Sequence, residues 1–274
     1  MIARGEGAAH PQLAPDQVRF SLHGVTHRFE TRRRSTAALL DVSLAAEPRE
    51  FLSIVGPSGC GKTTLLKIIA GLLAPTSGEV SYGDGAGPAP PPNALVFQEH
   101  GVFPWMSVLE NVAFGLEMQG VDRGTREEQA FEFIDRVGLS SFAHHYPHEL
   151  SSGMRQRVGV ARAFVADVPL LLMDEPFGAL DAQTKLALQA ELLRIWRTDR
   201  KLVAFVTHDL QEAVRLGDRV IVLTGRPGTV GAEIPIPIAR PRDLARDRNE
   251  VTELSWHLWS LLEEGVREDL AMGR

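Results

Sequence analysis

The chain has 274 residues, with 29 Lys and Arg against 35 Asp and Glu, a formal charge of -6, 44% hydrophobic residues and one Cys. That composition supports an ordinary buried core and excludes wholesale disorder, an internal disulfide and multi-cysteine zinc or iron–sulfur frameworks. The acidic balance offers no basic face for nucleic acid, no apolar run approaches the ~18–20 residues of a membrane span, and the start lacks a leader's apolar stretch, so a cytosolic protein is expected.

Residues 1–15, rich in Gly, Ala and Pro, read as a mobile lead-in. Loose alternation from Val18 to Leu44 predicts short antiparallel strands, with turns at His23-Gly24 and at Arg32-Arg33-Arg34. Phe51-Leu52-Ser53-Ile54-Val55 is a short buried strand, and a helix is expected over 63–73. Residues 83–92, with their cluster of Pro and Gly, predict a surface loop, and Leu95-Val96-Phe97 another buried strand. From Ser107 to about Ala166 the apolar residues recur at three and four (Val108, Val112, Leu116, then Phe131, Ile134, Val137), which predicts a helical insert. The apolar runs 170–173, 202–206 and 220–223, separated by helical stretches at about 182–198 and 208–216, predict a parallel sheet with crossover helices. A last amphipathic helix is expected at about 247–264, with Val251, Leu254, Leu258 and Leu261 on one face.

Gly56-Pro57-Ser58-Gly59-Cys60-Gly61-Lys62-Thr63 fits the phosphate-loop pattern G-x-x-x-x-G-K-[ST], and it sits between a buried strand and a helix as that pattern requires. The backbone N–H groups of this loop, and those of Thr63 and Thr64 opening the helix, suit a polyphosphate. Lys62 would reach the outer phosphates and the Thr63 hydroxyl would ligate Mg²⁺. Cys60 lies within the loop, where a small residue suffices; its alkylation is expected to block nucleotide binding. Leu170-Leu171-Leu172-Met173-Asp174-Glu175 supplies the acidic partner: an apolar strand, expected beside that of the phosphate loop, delivers Asp174 for the metal and Glu175 as general base for water. These residues alone specify a P-loop NTPase and not what its hydrolysis drives. A P-loop kinase would further need an acceptor site and lid arginines.

Leu150-Ser151-Ser152-Gly153-Met154-Arg155-Gln156-Arg157 opens a helix-like stretch before the Asp-Glu strand. It resembles the signature sequence of ATP-binding cassette (ABC) proteins, usually L-S-G-G-Q. The resemblance continues in order over roughly residues 18–265, and it implies an α/β fold: a RecA-like P-loop NTPase core with an N-terminal antiparallel β subdomain and an α-helical insert subdomain. Gln98 resembles the Q-loop glutamine, near the Mg²⁺ and water; Phe177-Gly178-Ala179-Leu180-Asp181 resembles the D-loop of the dimer interface. His208, in Val-Thr-His-Asp, resembles the switch histidine, and Phe29 stands where an aromatic stacks on adenine. Ser151, Ser152, Gly153 and Gln156 would act on ATP held by a second copy. Two departures stand out. Ser152 replaces the first Gly of the usual signature, and Pro48-Arg49-Glu50 replaces a Gly-Glu turn.

The insert is too short for the coiled coils of chromosome-associated cassette ATPases, and the chain holds one cassette, unlike translation-type proteins. Val96-Phe97-Gln98-Glu99 and Leu109-Glu110-Asn111-Val112 resemble the importer form, and Gly178-Ala-Leu-Asp-Ala-Gln183-Thr184, Thr207-His-Asp with Glu212-Ala213, and Ile238-Ala-Arg-Pro-Arg242 together are most similar to the nitrate/sulfonate/taurine importer class. The resemblance therefore implies an ATP- and Mg²⁺-dependent ATPase, peripheral on the cytoplasmic face of the inner membrane. It would work as a pair of copies, with separate permease subunits, an extracytoplasmic solute-binding protein as indirect partner, and no nucleic acid. The expected division is 1–15, an ATPase domain over 16–240 with the insert at about 100–166, and a C-terminal helical extension over 241–274. Val102-Phe103-Pro104-Trp105-Met106 is either insert core or part of a groove for a permease helix.

Overall fold

The computed structural model describes residues 18–30, 35–83, 90–97, 101–199, 201–242 and 246–271. In chain order its elements are β1 (Phe20–Glu30), β2 (Ser35–Ala46), β3 (Phe51–Val55), α1 (Lys62–Ile69), β4 (Ser77–Tyr82), β5 (Asn93–Val96), α2 (Val108–Met118), α3 (Arg123–Arg136), α4 (Ser152–Val165), β6 (Leu170–Asp174), α5 (Ala182–Asp199), β7 (Leu202–Val206), α6 (Leu210–Leu216), β8 (Arg219–Thr224), β9 (Thr229–Pro235) and α7 (Arg248–Ala271). Two short 3₁₀ turns, Ser140–Phe142 and Pro147–Glu149, join α3 to α4.

The strands form a three-stranded sheet in the order β2-β1-β4 and a six-stranded sheet in the order β5-β6-β7-β3-β8-β9. In the larger sheet every neighbouring pair is parallel except β8 and β9. Parallel strands are covered on both faces, so they must be apolar on both, and every residue of β3, β6 and β7 is buried. The two-residue period then divides each strand between two cores. Leu171, Met173, Val203 and Phe205 face the helices of the insert, whereas Leu170, Leu172, Ala204 and Val206 face α1 and the antiparallel sheet.

Two expectations are corrected. His23-Gly24 is not a turn: β1 runs through it, and the pairing with β2 and with β4 slips beyond residues 22–23, so a bulge absorbs the irregularity within the sheet. The Asp174 strand is not beside the phosphate-loop strand, because β7 lies between β6 and β3; α1, packed against β6 and β7, spans the gap. β4 and β9 had no reading because neither is a buried run: β4 is mostly exposed and β9 alternates as an edge strand. The turn expected at Arg32-Arg33-Arg34 and the lead-in at 1–15 lie outside the described residues, as does 84–89 of the loop.

The departure at Arg49 has a backbone explanation. Arg49 has φ 63, the left-handed region that glycine enters freely and other residues enter at a cost of about 1 kcal/mol. α7 extends beyond the expected end at 264. Its Val251 and Leu258 are buried, with Leu254, Leu261 and Leu262 packed beside them against α6, β8 and β9 residues, while Trp256 and Trp259 remain exposed.

Candidate nucleotide site

The site forms at the carboxyl ends of β3, β6 and β7, the edge where an open parallel sheet exposes its loops. Residues 56–61 turn the chain from β3 into α1. Gly61 takes φ 94, and a Cβ there would lie 2.6 Å from the Ala38 carbonyl oxygen, so backbone conformation and space both demand glycine. Lys62 is buried, and its ammonium donates to the carbonyls of Gly56 at 2.8 Å and Pro57 at 2.9 Å. The loop thus holds its own cation.

The Thr63 hydroxyl donates to the Asp174 carboxylate at 2.6 Å, although 111 residues separate them. Asp174 is 3% exposed, and burial raises its pKa against the lowering effect of the Thr63 hydrogen bond. Among the described residues it has no Lys or Arg partner within salt-bridge distance. Glu175 then leaves the strand at φ 48, and its backbone N–H donates to the Val206 carbonyl at 3.0 Å. Its carboxylate meets the His208 Nδ1 at 2.9 Å. The His208 segment is anchored from behind. Asp209 caps α6 by accepting from the N–H groups of Gln211 and Glu212, and Glu212, buried, accepts from Thr207 and pairs with Lys185 of α5 at 2.7 Å.

Ser151 caps α4 by accepting from the Met154 N–H at 3.2 Å, and Ser151 and Ser152 are exposed. Gly153 packs on Leu180 and Ala179. Gln156 behaves differently from its neighbours: it is 2% exposed, donates to the Glu175 carbonyl at 2.9 Å and accepts from the Ala179 N–H at 2.9 Å. Its side chain serves its own chain, tying α4 to the acidic turn and the segment after it. Asp181 caps α5 through the N–H groups of Gln183 and Thr184; the Thr184 side chain, then its N–H, lowers the carboxyl pKa.

Cys60 is in the loop by its backbone only. Its thiol is fully buried, close to Gly56 and Leu223, and burial raises its pKa. A buried, protonated thiol is a poor nucleophile, so the alkylation expected to block nucleotide binding should proceed slowly. Phe29, on β1, is 46% exposed with its ring edge against His27 at 4.7 Å. Gln98 lies outside the described residues.

Two features were not legible in the motifs. Arg226, in the turn between β8 and β9, donates to the Ser58 carbonyl. Asn111, fully buried on α2, donates to the carbonyls of Phe103, Met106 and Ser107 and accepts from the Phe103 N–H at 2.7 Å. It fixes the segment 102–106, which leaves Trp105 69% exposed and Val102 packed against the core. Signs of both roles were present: the Arg-Pro-Gly turn, and an Asn at an otherwise apolar helix position.

The chain matches the family model described as ABC transporter over residues 39–178. It is 46% identical over 257 residues to an uncharacterised ABC transporter ATP-binding protein of Methanocaldococcus jannaschii, covering 93% of this chain and 95% of that protein. It is 41% identical to a taurine import ATP-binding protein of Roseobacter denitrificans, with 92% and 98% covered. With a nitrate import ATP-binding protein of Synechocystis it shares 44%, with 80% and 83% covered. Among solved structures, a dimeric ATP-binding cassette in a post-hydrolysis state bound to ADP and Pi superposes with TM-score 0.72 at 33% identity, covering 80% of this chain and all of that one. With phosphate loop, acidic strand end and signature helix arranged on this sheet, the chain belongs to the ABC transporter family as one of its ATP-binding cassettes.

Proposed function

We propose that this chain is the ATP-hydrolysing subunit of a multi-subunit importer for a small solute of the taurine, sulfonate or nitrate kind. The observation that carries the reading is the convergence of Lys62, Thr63, Asp174, Glu175 and His208 at one end of the parallel sheet, in a chain whose relatives are named for taurine and nitrate import. In the proposed organisation residues 16–240 form the ATPase domain, with the insert at about 100–166, and 241–274 a helical extension.

The donor set suits Mg²⁺: a hydroxyl and a buried carboxylate that lacks a cationic side-chain partner among the described residues are hard oxygen ligands. Thr63 and Asp174 would hold the ion, and Gln98, the Q-loop residue by resemblance, is proposed as a further ligand. Bound with ATP, it would neutralise charge on the phosphates. The loop N–H groups of residues 59–64 take the phosphates, and Lys62 exchanges two carbonyl partners for phosphate oxygens. Phe29, exposed on β1, stacks on the base. Glu175 accepts the proton of the attacking water, and His208, already against its carboxylate, orients it toward the outer phosphate.

Ser151 and Ser152 present a helix N-terminus to solvent, which supports their acting on ATP held by a second copy. The exposed Trp105 borders a cavity of about 400 Å³ that also includes Leu109, Glu117 and Arg123. This surface suits a helix of a permease better than it suits insert core. No helix among the described residues is long and apolar enough to cross a membrane. The subunit would then sit on the cytoplasmic membrane face, with separate permease subunits and an extracytoplasmic binding protein. The deciding experiment is reconstitution with a permease and binding protein encoded beside it. Taurine, a sulfonate or nitrate should stimulate ATP hydrolysis in such vesicles; no stimulation by any of the three refutes the proposed solute class.

A further inference from the structure

A second cavity, of about 510 Å³, opens between the last turns of α5 and the chain that follows β9; Arg194, Arg197, Arg240 and Arg242 line it, with no acidic residue among its lining. Two of the four guanidiniums are neutralised. Arg194 donates twice to Glu191, at 2.8 and 2.7 Å, and Arg240 donates twice to Asp218, at 2.9 and 2.8 Å, while resting 4.7 Å from the centre of the Trp196 ring. The other two have no side-chain ion pair among the described residues. Among the described residues Arg242 gives its hydrogen bonds to backbone carbonyls, those of Ile238, Val214, Arg215 and Gly217, while Asp218 and Asp247 act on its charge without bonding to it. Arg197, exposed, has no ion pair or hydrogen bond among the described residues.

Capping the end of α6 accounts for Arg242, and pairing with Asp218 accounts for Arg240. Neither accounts for Arg197 and Arg194 lining the same cavity from α5. Four guanidiniums around one cavity outnumber the acids that answer them, and such an excess is costly unless an anion relieves it; burial, then the neighbouring Arg240, pushes the Arg242 guanidinium down to about 10 against the opposing pull of Asp218 and Asp247. Guanidinium forks match phosphate and sulfate oxygens in pairs, and the cavity has a volume typical of small-molecule sites.

We infer that this cavity is an anion site, separate from the nucleotide site, for a small ligand carrying more than one phosphate- or sulfate-type group. The site is built on α5 and on the segment after β9. It does not use the loop of residues 56–63.

Calorimetric titration of the full chain with inorganic pyrophosphate tests this, because two variants separate the two places it can bind. Lys62→Ala weakens the nucleotide site; Arg194→Ala combined with Arg197→Ala removes two exposed guanidiniums without touching the core, and circular dichroism confirms that this variant folds. The expected result is a pyrophosphate site that survives Lys62→Ala and weakens about tenfold or more in the arginine variant. Absence of binding in the unaltered chain overturns the inference, as does binding that disappears with Lys62→Ala or is unchanged in the arginine variant. A parallel titration with taurine, which carries one sulfonate, should give much weaker binding; equal affinity overturns the assignment to a multiply charged ligand.

Discussion

Two loops of this molecule are each held by one buried amide, and they present opposite surfaces. Gln156 ties α4 to the turn at Glu175 and to Ala179, and the result is a cluster of ionisable groups at the ends of buried strands. Asn111 ties α2 to the segment 102–106, and the result is an exposed tryptophan. The same device, a satisfied amide in an apolar setting, fixes a group of ionisable side chains in one place and displays an aromatic ring in the other. An unsatisfied amide at either position would leave buried polar groups without partners. The difference therefore lies in what each loop carries and not in how it is held.

That comparison can be broken at several points. Glu175→Gln removes the proton acceptor at the first loop, and ATP turnover should fall roughly a hundred- to ten-thousand-fold while ATP binding persists, now as a trapped dimer; a steady-state ATPase assay showing undiminished turnover excludes Glu175 as base. Gln156→Ala keeps every ionisable group but strands the Glu175 carbonyl and the Ala179 N–H, so denaturant unfolding should show a loss of about 1–3 kcal/mol, with reduced turnover. Asn111→Ala should cost a similar stability but leave basal turnover near that of the unaltered chain, since only the second loop loosens. Trp105→Ala should change neither stability nor basal turnover, and should abolish solute-stimulated hydrolysis in reconstituted vesicles; normal transport by this variant removes the docking role from that loop. The smallest effect is expected at Arg49→Gly, which relieves a left-handed backbone and should stabilise the fold by about 1 kcal/mol in the same unfolding assay.

The two loops were also unequally legible in the sequence. Lys62, Thr63, Asp174 and Glu175 were readable because phosphate chemistry requires particular residues at fixed places between a buried strand and a helix. The fully buried strands β3, β6 and β7 were readable for the related reason that both faces must be apolar. β4 and β9 were not, since a short exposed strand and an edge strand carry no continuous run. The order β6-β7-β3 was hidden as well, because spacing along the chain says nothing about which strand inserts between two others. The inward turn of Gln156 could not be read from a signature whose neighbours are exposed. Burial of the Cys60 thiol comes from its place beside Gly56 in a core that includes the distant Leu223, and no local pattern records that packing.

The turn after β8 constrains how this protein can vary. The Gly228 N–H donates to the Ala38 carbonyl, its own carbonyl accepts from Leu40, and a Cβ at this position would lie 1.9 Å from the Cys60 carbonyl oxygen. Arg226, two residues earlier, holds the carbonyl of Ser58. Hairpin turn and nucleotide loop are therefore interlocked parts with no clearance between them. A chimera that exchanges the β8–β9 hairpin with a relative's must carry the turn over at unchanged length, or it will reshape a loop nearly 170 positions away that the graft never touched.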